Sequence, residues 1–142
     1  MRNILFLLPI LLIGMSCQSI PKEASKSSGT SVILRNPEMV RERSATEPVE
    51  IRSPQEAQQW LAAETRYALS DKVDFAREHI VLFAWMGSGG DEVRLDRGYK
   101  PEMYLFEYVP GMTRDLRVHA KAYVVSNMIG YDIVTVHANV AQ

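Results

Sequence analysis

Several absences bound the reading of this sequence. It has one cysteine, Cys17, so no disulfide can form within the chain. Neither sign of charge dominates: the formal net charge is −1 at pH 7, whereas a nucleic-acid surface needs a clustered basic excess. No apolar run is long enough to span a bilayer. The longest, Ile4 to Ile13, has ten residues against roughly 20 for a membrane helix, and Pro9 interrupts it. Paired catalytic carboxylates, a Gly-x-Ser-x-Gly elbow and a three- or four-ligand metal spacing are also missing. No internal repeat is visible, and 142 residues suit one domain with one modest core.

What is present begins with the N-terminus. Arg2 precedes the Ile4–Ile13 run, and Gly14-Met15-Ser16-Cys17 follows it. A positive charge, a short apolar stretch and small residues form the layout of a secretory signal peptide. The segment Leu12-Ile13-Gly14-Met15-Ser16-Cys17 resembles the lipobox of bacterial lipoproteins. Gly14 departs from it, standing where that family usually has a large aliphatic residue. The resemblance implies removal of residues 1–16, lipidation of Cys17 and residence in the cell envelope, on its periplasmic or extracellular face. Each acyl chain contributes about 0.8 kcal/mol per buried methylene, so two or three would hold the protein at a membrane without a spanning helix. The mature chain would have 126 residues, with 15 Lys+Arg against 17 Asp+Glu.

Residues 17–31 read as a lipidated cysteine followed by a flexible tether. From Gln18 on, Ser, Lys, Glu, Gly and Thr dominate, and such a stretch buries too little surface to offset its ordering entropy. The domain is expected over residues 32–142. Ser31 to Leu34 is a short strand candidate ending at the Asn36-Pro37 turn signal. Ser53-Pro54-Gln55-Glu56 is a capping box with proline at the first helical position. The apolar spacing of Ala57, Trp60, Leu61 and Ala68 then predicts one amphipathic helix over 54–69.

Strands are expected from there on. Ile80 to Met86 is a continuous apolar run, as a strand buried on both faces requires. Alternation marks further strands around Val93 and Leu95, over 102–109, around 117–124 and over 131–137. The short links between them favour an antiparallel meander. The expected fold is α+β: a small single domain with one helix covering a mainly antiparallel five-stranded sheet. Trp60 and Leu61 would meet Val118, Ala120, Ala122, Val134 and Val136. The order Val73-Asp74-Phe75, apolar strand, Gly87, Gly89-Gly90, with a helix upstream, resembles the C-terminal domain of the protease-complex subunit PrcB over residues 50–125. Asp91 departs from that pattern, where an aromatic usually follows the glycine pair. The resemblance implies a non-catalytic domain of exported proteins.

Three places invite chemistry. Gly87-Ser88-Gly89-Gly90-Asp91 could be an anion nest or a serine nucleophile, but it lies between strands rather than before a helix, so a hairpin turn with positive-φ glycines is the simpler reading. If the last two strands pair as a hairpin, His119 faces His137 and the two could share a metal. Two ligands are few for zinc, and Lys121 is an unfavourable neighbour, so a solvated polar face is the plainer reading. Arg114 and Arg117 could bind an anion through their guanidinium forks; the plainer reading is an Arg–Asp loop that stabilises its own turn. His79 reads as an edge residue. The sequence thus predicts a non-enzymatic envelope lipoprotein with a binding or structural role. It would be held at the membrane through Cys17 and partnered by an envelope protein or wall component, with no nucleic acid, metal or cofactor. The alternative is a small hydrolase or metal-dependent enzyme built on His119, His137 and the Gly87–Asp91 loop.

Overall fold

The computed structural model describes residues 26–27 and 29–137; Cys17 and the expected signal segment lie outside them. Among the described residues, eight strands form two four-stranded sheets. In the first sheet the order is β2 (Thr30–Ser31), β7 (Leu116–Ser126), β4 (Glu78–Ser88), β3 (Val49–Ile51). The second runs β1 (Lys26–Ser27), β5 (Glu92–Lys100), β6 (Met103–Val109), β8 (Gly130–Thr135). Two helices, α1 (Pro54–Trp60) and α2 (Ala63–Ser70), cover the first sheet. The expectation of one helix on a single five-stranded sheet is therefore corrected.

The reason lies in β4, which is apolar on both faces. Ile80, Leu82 and Ala84 point one way and pack with Leu61, Leu69 and Ala57 of the helical layer. Val81, Phe83 and Trp85 point the other way, against Val93, Leu95 and Phe106 of the second sheet. A helix layer covers only one face of such a strand; the other needs a second sheet. The chain accordingly crosses between sheets at the β4–β5, β6–β7 and β7–β8 links, and the meander is not formed. β4 pairs antiparallel with β7 along its whole length, from Glu78 opposite Ser126 to Ser88 opposite Leu116. β8 lies parallel to β6. Of the expected helix contacts, Ala120 and Ala122 meet the helical layer, but Val118, Val134 and Val136 are exposed.

An aromatic cluster joins the sheets. Phe106 lies 4.8 Å from Phe83 and 5.0 Å from Tyr123 between ring centroids, and the Tyr123 hydroxyl donates to the Val93 carbonyl. Within the 17–31 segment, Lys26–Ser27 and Thr30–Ser31 pair in the sheets, β1 with β5 and β2 with β7. Gly29 between them has φ of +66°, and a Cβ there would lie 2.5 Å from the Tyr123 ring. Only glycine lets the chain pass from one sheet to the other at this point.

The helix break is local. Ser53 caps α1 by accepting from the Glu56 N–H at 3.2 Å, and Glu56 accepts from the Arg52 N–H at 2.7 Å. At Leu61 the backbone becomes extended (φ −105°, ψ 140°) and forms a β-bridge with Leu34. The Arg35 N–H donates to Trp60 O, and the Ala62 N–H to Ile33 O, both at 2.9 Å. A continuous helix would leave the 33–35 backbone without these partners, so the bridge interrupts the helix at the point where Leu61 buries all but 1 % of its surface.

Candidate binding site

The Gly87–Asp91 link turns the corner between the sheets, and its polar groups bind one another. Asp91 is the centre. Its Oδ2 accepts from Trp85 Nε1–H and from the Tyr108 hydroxyl, both at 3.0 Å, and its Oδ1 accepts from the Gly111 N–H at 2.7 Å. Burial works to raise the Asp91 pKa, but these three donors and the nearby His119 outweigh it and hold the carboxyl below its usual value. Burial and the Asp91 carboxylate together push Tyr108 up to about 12. The Ser88 hydroxyl donates to Thr113 O at 2.8 Å, so it is not poised as a nucleophile. Gly89 N–H donates to the Asp115 carbonyl and to its carboxylate, and Gly90 N–H to Thr113 Oγ1.

The glycines serve close approach rather than positive φ, since among the described residues Gly29 alone has positive φ. A Cβ on Gly87 would meet Asp91 Oδ2 at 2.0 Å, and one on Gly111 would meet the Gly90 carbonyl carbon at 2.4 Å. The hairpin reading is thus replaced by two interlocked loops.

The histidine pairing does not form. β7 and β8 belong to different sheets, and His119 stands opposite Trp85. Its ring stacks on that indole at 4.6 Å, and its Nε2 donates to Ser88 O at 2.8 Å. His137 lies beyond the end of β8. Among the described residues no group of three or more His, Cys, Asp or Glu is placed to hold a metal ion. Arg117 pairs with Asp115, and Arg114 is exposed. The carboxyl of Asp115 is held low by the Thr113 hydroxyl first, with Arg117 among the further causes.

A second polar group lies at the open edge of the sandwich, between β3 and β8. Glu50 accepts from the Tyr131 hydroxyl at 2.8 Å and from Arg52 at 2.6 Å. Burial opposes ionisation of Glu50, yet these bonds and charges bring its pKa below the usual value. His79 is 3 % exposed, and its Nδ1 meets Asn127 Oδ1 at 2.8 Å. Its Nε2 is buried and has no hydrogen-bond partner among the described residues. This edge is a shallow, solvent-open hollow.

The third region is a cleft of about 370 Å³ between α1, α2 and the 71–79 segment, open on one side. Ala57, Leu61, Leu69, Val73, Phe75 and Ile80 form apolar walls, with Gln58, Arg66 and Ser70 completing them. Arg66 on α2 contributes the one strongly charged group. Its Nε–H is buried and finds no acceptor among the described residues. Neither Arg66 nor His79 carries a local sequence signal; each acquires its setting from segments distant along the chain. Compared with family models, curated proteins and solved structures, the chain matches none.

Proposed function

We propose that this chain is a non-enzymatic lipoprotein of the bacterial cell envelope, anchored through Cys17 and acting as a binding module. The observation that carries the binding role is a contrast. At the corner of the sandwich, Asp91, Ser88, Asp115 and His119 are each bonded within the fold. In the helical cleft, Ala57, Leu61, Leu69, Val73, Phe75 and Ile80 form apolar walls around a hollow that the fold leaves unfilled, with Gln58, Arg66 and Ser70 at its margin. A concave apolar site with one or two placed polar groups is the usual form of a ligand pocket. His119 bonds the Ser88 carbonyl rather than its hydroxyl, so these bonds join no nucleophile to a general base, as acid–base or nucleophilic work requires.

The anchor is supported by the residue pattern from Arg2 to Cys17 and by Cys17 being the only cysteine. Among the described residues no helix is long and apolar enough to cross a membrane, so two or three acyl chains on Cys17 would supply the attachment. Fractionation of cells producing the full chain tests this. The native chain should sediment with membranes and enter detergent, and Cys17→Ser should release it to the soluble fraction. A Cys17→Ser chain that stays membrane-bound would refute the anchor.

A further inference from the structure

We infer that the loop between β6 and β7, with the first residues of β7, is the surface on which the domain docks to a phospholipid bilayer. Met112, Leu116 and Val118 enter the acyl boundary, and Arg114 meets head-group phosphates. The inference rests on the lipid anchor proposed above and names the end of the domain that the anchored protein turns to its membrane.

The apolar surface left over at this end comes first. Successive side chains of a strand alternate between faces, so Leu116, Val118, Ala120 and Ala122 share one face of β7. Ala120 and Ala122 lie under the helical layer. That layer stops short of Val118, which is 43 % exposed, and of Leu116, which is 70 % exposed. Met86 stands opposite Val118 on β4 and is half-buried. Met112, in the loop leading into β7, is 83 % exposed. Single exposed apolar residues are ordinary, but a group of them at one end of a domain marks a contact surface.

The loop that presents Met112 is held in place. The Ser88 hydroxyl donates to Thr113 O, Gly90 N–H to Thr113 Oγ1, and Gly111 N–H to the Asp91 carboxylate. Docking therefore costs little ordering entropy. From Pro110 to Val118 the charged residues are Arg114, Asp115 and Arg117. Asp115 and Arg117 pair, and Arg114 is exposed and pairs with no acid among the described residues. A guanidinium fork suits phosphate, and interfacial binding combines buried apolar area with attraction to head groups.

The anchor reaches this end. Lys26 pairs with Asp96, four residues along β5 from Glu92 at the corner, a distance of about 13 Å. The nine residues from Cys17 to Lys26 extend to at most about 32 Å. Acyl chains on Cys17 hold the domain within that distance of a bilayer, so the bilayer is the surface its apolar end meets first.

The test uses the lipidated native chain in phosphatidylglycerol vesicles. Acylation consumes the Cys17 thiol, so Met112→Cys supplies the single free thiol for the polarity-sensitive fluorophore NBD. Its emission should shift to the blue and be quenched by nitroxide-labelled lipid. Met128→Cys is the control: Met128 is 92 % exposed but lies past the opposite end of β7, and its probe should read as in water. Added to Met112→Cys, Arg114→Gln should lower the ratio of docked to undocked protein about fivefold, the share of one cation at an anionic lipid surface. Leu116→Ser should lower it about tenfold, the effect of returning one leucine to water. Both side chains are exposed, so thermal melts should not change. Equal spectra from the two probes, or immersion of the one at residue 128 instead, would overturn the docking surface while leaving the anchor in place. A probe at residue 112 that is shielded in native membrane vesicles but not in pure lipid would assign the surface to a membrane protein, and overturn the proposal too. A chain that fails to enter the vesicles would refute the anchor, and this surface with it.

Discussion

Asp91 shows how a residue that looks catalytic becomes structural. One carboxylate satisfies an indole N–H, a phenol and a backbone N–H, and thereby ties the β4–β5 corner to the loop after β6. Asp91→Asn keeps the shape but turns one acceptor into a donor. It should destabilise the fold at neutral pH by about 1–3 kcal/mol, the cost of a buried donor without its acceptor. The folded pKa of Asp91 lies below its unfolded value. Its contribution is therefore present above the ordinary carboxylate value, about 3.9, and is lost as pH falls through the folded value. The gap between the native chain and Asp91→Asn in urea unfolding should be widest above about pH 5 and close below about pH 4. A gap independent of pH would show that the ionised carboxylate is not the cause. Gly111 gives a second prediction from the same corner. Gly111→Ala places a Cβ 2.4 Å from fixed backbone, whereas Gly130→Ala meets nothing within 4 Å. The first should destabilise by about 1–3 kcal/mol through overpacking, and the second should be neutral or stabilise by up to about 1 kcal/mol. Thermal melts of the pair decide it. The glycine cluster at 87–90 was legible as a tight turn, but its partners at 111–115 lie some 20 residues on, beyond the reach of a local pattern. The same holds for Arg66 and His79.

At the scale of elements, strong local signals correspond to observed structure and weak ones were overridden. The Ser53-Pro54 cap starts α1 where the capping pattern places it, and the apolar run of β4 is buried on both faces. The break at Leu61–Ala62 inside the expected 54–69 helix was not legible, because propensity does not register the backbone pairing of 33–35 with 60–62. Leu61 is the residue on which the two layers meet. It is 1 % exposed and sits at the bridge between helices, so Leu61→Ala should cost about 2–5 kcal/mol. His119 is no bystander either, contrary to its reading as part of a solvated face. Its stack on Trp85 and its bond to Ser88 O predict a loss of about 0.5–1.5 kcal/mol for His119→Ala. Denaturant midpoints ordered with Leu61→Ala lowest would agree; equal losses would mean that the helical layer contributes less than its burial implies.

For the whole molecule, the decisive fact is a β-strand with two apolar faces, which requires three layers: helices, a first sheet and a second sheet. That requirement was written in the β4 run, but strand order was not. Short links normally join paired neighbours, and here they carry the chain between sheets instead, stacking Phe83 and Trp85 against Val93, Leu95 and Phe106. β1 pairs with β5 of one sheet and β2 with β7 of the other, on either side of Gly29. We propose a binding domain held at a membrane by acyl chains on Cys17. Mass spectrometry of the protein extracted from its own membranes tests this most directly. The account predicts an N-terminal peptide that begins at Cys17 and carries the added mass of two or three acyl chains. A free Cys17 thiol, or a mature chain that begins at another residue, would contradict it.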